Sequence, residues 1–180
     1  MDKNFCIEKL KFFVIKHHNY SFMNDKILKE VEGVDCSRDI KLLDNSDTNV
    51  KAYQTAGPIK SHALYVLRKW IKNVIVESKI LRNPIISDYW LAFYQKGDHT
   101  VPHHHLPALY AFNYFIKTPK GSSPFVFTTS NTIIEPEEGK LVIFPSLLVH
   151  HVPPNNCDER VVFAGNIWEK QLDFFNTEKE

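Results

Sequence analysis

Cysteine is scarce, and the three present, Cys6, Cys36 and Cys157, stand far apart with no CxxC pair. An odd, scattered set argues against a disulfide framework and is the usage expected in a reducing compartment. No run approaches the ~18 apolar residues that a membrane-spanning helix requires. The opening stretch, MDKNFCIEKLKFFVIKHH, interleaves charges with apolar positions and offers no small-residue cleavage site, so it does not read as a signal peptide. Net charge is nearly absent as well: 22 Lys and Arg against 21 Asp and Glu leave +1, which supplies no general attraction to nucleic acid or to an anionic membrane. A soluble, cytoplasmic protein with no membrane partner is the expectation. There is no GxxxxGK[ST] phosphate loop, and no Cys or Ser stands beside a base in the pattern of a nucleophilic enzyme.

What is abundant is apolar and aromatic. Hydrophobic residues make up 43% and Phe alone contributes thirteen, enough for a substantial core in a chain of 180 residues, a length that suits one domain. Within it, residues 1–84 read as helical and loop support and 85–170 as a β core. From Pro58 to Ser78, Leu64, Leu67, Ile71 and Val74 recur at three- and four-residue steps and predict a helix, its stripe widened by Tyr65, Val66, Trp70 and Ile75. Ser37 to Gln54 is polar enough to be mostly loop, and FCIEKLKFFVI is ambiguous between strand and helix. After Ile85 come short runs rich in aromatic and β-branched residues: Tyr89 to Tyr94, Leu109 to Ile116, Phe125 to Thr129, Asn131 to Ile134, Lys140 to Phe144 and Arg160 to Trp168. Turn chemistry separates them (QKGD, TPKGSSP, EPEEGK, PPNNCDE). The class is mainly β, a barrel or sandwich with helices from the first half packed on one side.

The stretch VPHHHLP carries the chemistry. In an extended chain side chains alternate, so His103 and His105 share a face while His104 points away. Forty-five residues after His105, a second strand runs through FPS into His150 and His151. Should the two strands be neighbours, one histidine of that pair completes a three-point facial site with open positions opposite, the arrangement of non-haem iron centres that activate oxygen.

The run SDYWLAFYQKGDHTVPHHHLPALYAFNYFIKTPKGSSPFVF, followed by EPEEGKLVIFPSLLVHHVPPNNCDERVVFAGNIW, resembles the small bacterial and phage branch of iron(II)/2-oxoglutarate-dependent oxygenases related to prolyl hydroxylases. The matching residues include Trp90, Gly97, Asp98, His103, His105, Tyr114, Pro119, Gly139, Phe144, Pro145, Ser146, His150, Glu159, Arg160 and Asn166. The resemblance implies a double-stranded β-helix, or jelly roll. It implies Fe(II) on His103, His105 and His150, with His150 and His151 exchangeable. It also implies 2-oxoglutarate and O2 as co-substrates, hydroxylation of a substrate, and succinate and CO2 as co-products. Arg160 is then the clamp for the distal carboxylate, since a guanidinium stays charged and binds a carboxylate through two parallel hydrogen bonds. Tyr94 or Tyr114 would assist it, and Asn166 joins the co-substrate site.

The departures are informative. Relatives in the wider superfamily carry HxD or HxE where this chain has His105, so the centre loses a negative charge unless Asp98 reaches the metal from the preceding turn. Leu106 stands where the branch has proline. A rival reading uses the same fold: GDHTVPHHH fits the cupin opening G-x5-HxH, and GKLVIFPSLLVH fits the second cupin motif except that Leu147 replaces a glycine. A cupin-type three-histidine dioxygenase would need no 2-oxoglutarate, but the cupin glutamate is missing and Arg160 is present. A non-enzymatic metal-binding module is the third reading. A protein side chain, a free amino acid and a nucleobase all stay open as substrate, and a homodimer stays open as assembly.

Overall fold

The computed structural model describes residues 10–38, 40, 48–55 and 59–170. In chain order the elements are β1 (Phe13–Lys16), α1 (Tyr20–Glu30), β2 (Cys36–Ser37), β3 (Val50–Lys51), β4 (Tyr53–Thr55), α2 (His62–Glu77), β5 (Pro84–Ile85), β6 (Tyr89–Tyr94), β7 (His99–His103), β8 (Tyr110–Lys117), β9 (Phe125–Phe127), β10 (Thr132–Ile134), β11 (Lys140–Pro145), β12 (His150–Val152) and β13 (Arg160–Glu169). The strands form two antiparallel sheets. The larger has the order β1-β11-β8-β13-β6-β4-β2, with β5 also on β13; the smaller is β10-β9-β12-β7-β3.

Strand β8 shows why the sheets stack as they do. It is apolar almost throughout because both its faces are covered. Phe112, Tyr114 and Ile116 join the cluster under the helices, while Ala111 and Phe115 join the cluster between the sheets. On β13 the same alternation sends Val161, Phe163 and Ile167 towards the helices and Val162 between the sheets. Arg160 shares the inward parity of Val162.

The predicted helix is α2, shorter than expected at both ends. Leu64, Leu67, Ile71, Val74 and Ile75 are buried against the larger sheet. At roughly 1.5–3 kcal/mol for each buried side chain, this stripe outweighs the Ser61 cap, whose hydroxyl accepts from the Leu64 N–H at 3.0 Å and contributes about 1 kcal/mol. Two expected members of the stripe do not belong to it: Tyr65 and Val66 are exposed. They sit one and two residues beyond Leu64, and at 100° per residue that carries them off the buried face.

The first half does more than support. Strands β1, β2, β3 and β4 extend both sheets at their edges, and β2, β3 and β4 include residues read as loop between Ser37 and Gln54. Two- and three-residue strands carry too few side chains to print an alternation in sequence; pairing with β6, β7 and one another makes them. Helix α1, Tyr20–Glu30, was not separable from its polar surroundings, because only Asn24 and Ile27 are buried on it. Most of FCIEKLKFFVI lies outside the described residues, but its end forms β1 on β11. No helix among the described residues is long and apolar enough to cross a membrane.

Candidate metal centre

Strand pairing sets the first two imidazoles. His103 closes β7 and His150 opens β12, and they are direct partners across the antiparallel ladder, where facing side chains start about 5 Å apart. Their ring centroids are 4.3 Å apart. His105, two residues past the end of β7, is tied down by its own N–H, which donates to the Ser146 carbonyl at 2.8 Å. The loop after β11 thus carries His105 to the other two. One ring nitrogen from each of His103, His105 and His150 lies within 4.8 Å of the others. The Nε2 atoms of His105 and His150 are 3.3 Å apart, as expected for two nitrogens each about 2.1 Å from one ion at an angle near 100°.

The rings are oriented and neutral. His103 Nδ1 lies 2.9 Å from the Val101 carbonyl and His150 Nδ1 lies 3.0 Å from the Leu148 carbonyl. Each contact needs an N–H on Nδ1, which leaves the Nε2 lone pair for a metal. Burial disfavours the charged imidazolium, and neighbouring imidazoles add to this. His150 is held down at about 2 and His105 at about 3, the latter opposed in part by the Asn166 side chain; His103 is lowered chiefly by burial too. No proton need leave these rings before a cation binds at neutral pH. Trp90 stacks on His105 with centroids 6.0 Å apart.

The buried end of β13 holds the second feature. Arg160 is 0% exposed, and its Nε, Nη1 and Nη2 have no hydrogen-bond partner. Its Cζ lies 4.4 Å from the centroid of the Tyr94 ring, on the neighbouring strand β6, and 5.7 Å from that of Phe115. Glu159 just before it has φ 62°, a left-handed conformation that suits the turn into the strand, and its carboxylate pairs outward with Lys117 at 2.8 Å. A buried, unanswered guanidinium is costly unless an anion reaches it.

Several expectations fall elsewhere. Tyr114 turns to the helix side, where its hydroxyl donates to Asn24 Oδ1 at 3.0 Å; alternation along β8 puts it on the opposite face from Arg160, so of the two tyrosines only Tyr94 meets the guanidinium. Asp98 does not approach the histidines. Arg38 grips its two oxygens at 2.7 and 2.9 Å, and the Gln95 N–H donates to it at 2.8 Å. His151 Nδ1 meets the Thr128 hydroxyl at 2.8 Å, away from the cluster, and His104 is exposed. Asn166 faces the cluster, and its Oδ1 is buried without a partner.

The sequence reading missed Asn113. Its buried Nδ2 has no partner, and it lines the inner cavity with His103, His105, His150, Tyr94 and Thr100. The available signal was a lone amide at inward parity in the otherwise apolar run LYAFNYFI. That cavity, as it stands, holds about 30 Å³, room for some two waters, so a dicarboxylate enters only as lining side chains move. Outside it an open cleft of about 590 Å³ reaches His103 and His105 and is bounded by Trp90, His104, Leu106, Pro107, Asn166 and Trp168 among others. Among the described residues, the donor set and the orphaned guanidinium fit a divalent metal with a chelating, doubly anionic co-substrate.

Comparison with known proteins agrees. Residues 126–166 match the family described as "Putative 2OG-Fe(II) oxygenase"; the match includes His150, Arg160 and Asn166 and begins after His105. No curated protein sequence matches the chain. Solved structures with the same fold include a viral collagen prolyl hydroxylase from Paramecium bursaria Chlorella virus-1 in its 2-oxoglutarate complex, 16% identical at TM-score 0.67 over 87% of this chain and 94% of that one. A prolyl hydroxylase from Trichoplax adhaerens, solved with a hypoxia inducible factor peptide fragment, is 18% identical at TM-score 0.65 over 86% and 82%. A Pseudomonas putida prolyl-4-hydroxylase is 14% identical at TM-score 0.65 over 90% and 94%. Over residues 126–166 the chain is thus similar to the iron(II)- and 2-oxoglutarate-dependent oxygenases, and it shares the double-stranded β-helix of the prolyl hydroxylases of known structure.

Proposed function

We propose that the chain hydroxylates a side chain of a polypeptide, prolyl before others, with His103, His105 and His150 holding the iron and Arg160 holding 2-oxoglutarate. The observation that carries this reading is Arg160, a fully buried guanidinium with three unpartnered nitrogens at the start of β13. When bound, iron and 2-oxoglutarate supply the oxidation: one oxygen atom of O2 enters the succinate formed as CO2 is lost, and the other is inserted into a substrate C–H bond.

The chain's own residues bind, orient and exclude. Carbonyls of Val101 and Leu148 fix two imidazole rings. The Arg160 fork takes the far carboxylate against the Tyr94 face, while the Tyr94 hydroxyl is pinned to the Thr100 hydroxyl at 2.7 Å. Asn113 Nδ2 offers a further donor within the inner cavity. Trp90 covers His105 and limits water beside it.

A polypeptide is favoured over a nucleic acid by the outer cleft. Among the described residues, no Lys or Arg lines it and Asp88 does, so a phosphate backbone finds no counter-charge from them. Apolar surface is also on offer: Leu106 on the cleft lining and Leu147 on the loop after β11 are 54% and 49% exposed. Their loops are stitched by the bonds of Ser146 to His105 and Leu109. The prolyl hydroxylases of the same fold support the choice of proline.

The test is succinate formation from 2-oxoglutarate with Fe(II), with and without proline-rich peptides, in wild type and Arg160→Ala. Peptide-stimulated succinate that Arg160→Ala abolishes is expected. Iron bound normally while 2-oxoglutarate stays inert in both proteins would instead favour the cupin-type dioxygenase.

A further inference from the structure

Helix α2 has a second stripe besides its buried one. Tyr65, Arg68, Lys69, Lys72 and Asn73 recur at helical spacing and, with Ile86, line a separate cavity of about 290 Å³. Between Ile59 and Arg82 the sequence has Lys60, Arg68, Lys69, Lys72, Lys79 and Arg82 against the single acid Glu77, a surplus of five in a chain whose overall surplus is one. A basic helix face is ordinarily answered by nearby carboxylates. Among the described residues, none forms an ion pair with Arg68, Lys69 or Lys72. Arg68 is instead positioned over the Tyr89 ring, Cζ 4.3 Å from its centroid, and Lys69 lies 5.7 Å from the Tyr65 centroid.

The place of this cavity gives it meaning. Ile86 lines it, whereas Ser87, Asp88 and Tyr89 line the cleft before the imidazoles. Two residues of chain span at most about 7 Å, so a narrow wall separates the two sites. That wall is fixed: the Asp88 carbonyl accepts from the Asn166 N–H at 2.8 Å, and its carboxylate accepts from the Trp168 indole at 3.0 Å.

We propose that the basic stripe of α2 is a second binding site, which receives an acidic segment of the polypeptide whose neighbouring residue enters the cleft. This rests on the reading of the substrate as a polypeptide. Charge complementarity selects an anionic occupant. Asp88, and a cleft lining without Lys or Arg among the described residues, favour an acidic peptide over nucleic acid, which would run its phosphates across both. An anchor of this kind raises the effective concentration of the reacting residue at the cleft.

Fluorescence anisotropy of fluorescein-labelled hexaglutamate, titrated with the full chain at low salt without iron or 2-oxoglutarate, tests the site apart from turnover. A negative result leaves succinate formation unaffected, and failure of succinate formation leaves this binding unaffected. Binding by wild type is expected, weakened about tenfold or more in Lys69→Glu/Lys72→Glu. It should stay within about twofold of wild type in Lys26→Glu/Lys29→Glu on α1, which changes net charge equally. Lys69→Gln/Lys72→Gln provides a milder pair should the reversed charges impair folding, with a loss of about threefold expected. No binding by wild type, equal losses in the α1 control, or tighter binding of labelled oligothymidylate than of hexaglutamate would overturn the proposal.

Discussion

The Arg160 guanidinium sits over Tyr94, its Cζ 4.4 Å from the ring centroid, yet no nitrogen of it is hydrogen-bonded. Tyr94 provides a π face and no counter-ion, so the charge is softened and not neutralised. Burial accordingly pushes the guanidinium below the usual arginine range.

Arg160→Met should therefore separate stability from binding. Without ligands the variant is expected to be more stable than wild type by about 1–4 kcal/mol, since an uncompensated buried charge gives way to an apolar chain of similar length. Its affinity for 2-oxoglutarate should fall roughly 10–150-fold. Urea unfolding and calorimetric titration measure the two. A less stable variant with intact 2-oxoglutarate affinity would contradict the clamp.

Acid should weaken the metal-free fold. His105 and His150 titrate at about 3 and about 2 in the folded chain, against an ordinary value near 6.5 when unfolded. Above that value neither state is protonated and stability is flat. As the pH falls below it the unfolded chain takes up protons first, so each histidine removes about 1.4 kcal/mol per pH unit down towards its folded value. Urea midpoints at pH 7, 6 and 5 check the slope, and His150→Phe should flatten it.

His105→Asp should keep the centre while changing its charge. Three neutral imidazoles leave a divalent ion and dianionic 2-oxoglutarate balanced; a carboxylate tips the sum to minus one. Iron should bind roughly tenfold tighter and 2-oxoglutarate several-fold weaker. Equal affinities for both would show that His105 stands away from the ion.

Asp98→Asn should leave iron affinity within about twofold of wild type while lowering stability by about 1–3 kcal/mol, because it breaks the bidentate bond to Arg38 at a buried group. A lost iron site with unchanged stability would return Asp98 to the metal.

How much of this is legible in the sequence depends on the range of the interaction. The strands from Tyr89 onward and the stripe through Leu64, Leu67 and Ile71 follow from local period, whereas His105 lies beyond the end of β7 and joins His103 through its bond to the Ser146 carbonyl. That His150 and not His151 turns inward depends on its pairing with His103, which no spacing encodes. Tyr94 and Tyr114 look alike in composition, and only the parity of two strands assigns one to Arg160 and the other to Asn24. Asn113 was overlooked for the opposite reason: an amide in an apolar strand is conspicuous only once that strand is known to be covered on both faces.

The two facing imidazoles share one further property. His103 and His150 are each aimed by the carbonyl two residues earlier in the chain, that of Val101 within β7 and that of Leu148 in the turn before β12. The carbonyl that aims each ring is therefore local, while the strand pairing and the rings of Phe125 and Phe144 bring His150 to face its partner. Grafting those two tripeptides as cross-strand partners into an unrelated hairpin, with aromatic side chains packed beside the second ring, should reproduce two of the three imidazoles, a modest starting point for building new catalysts.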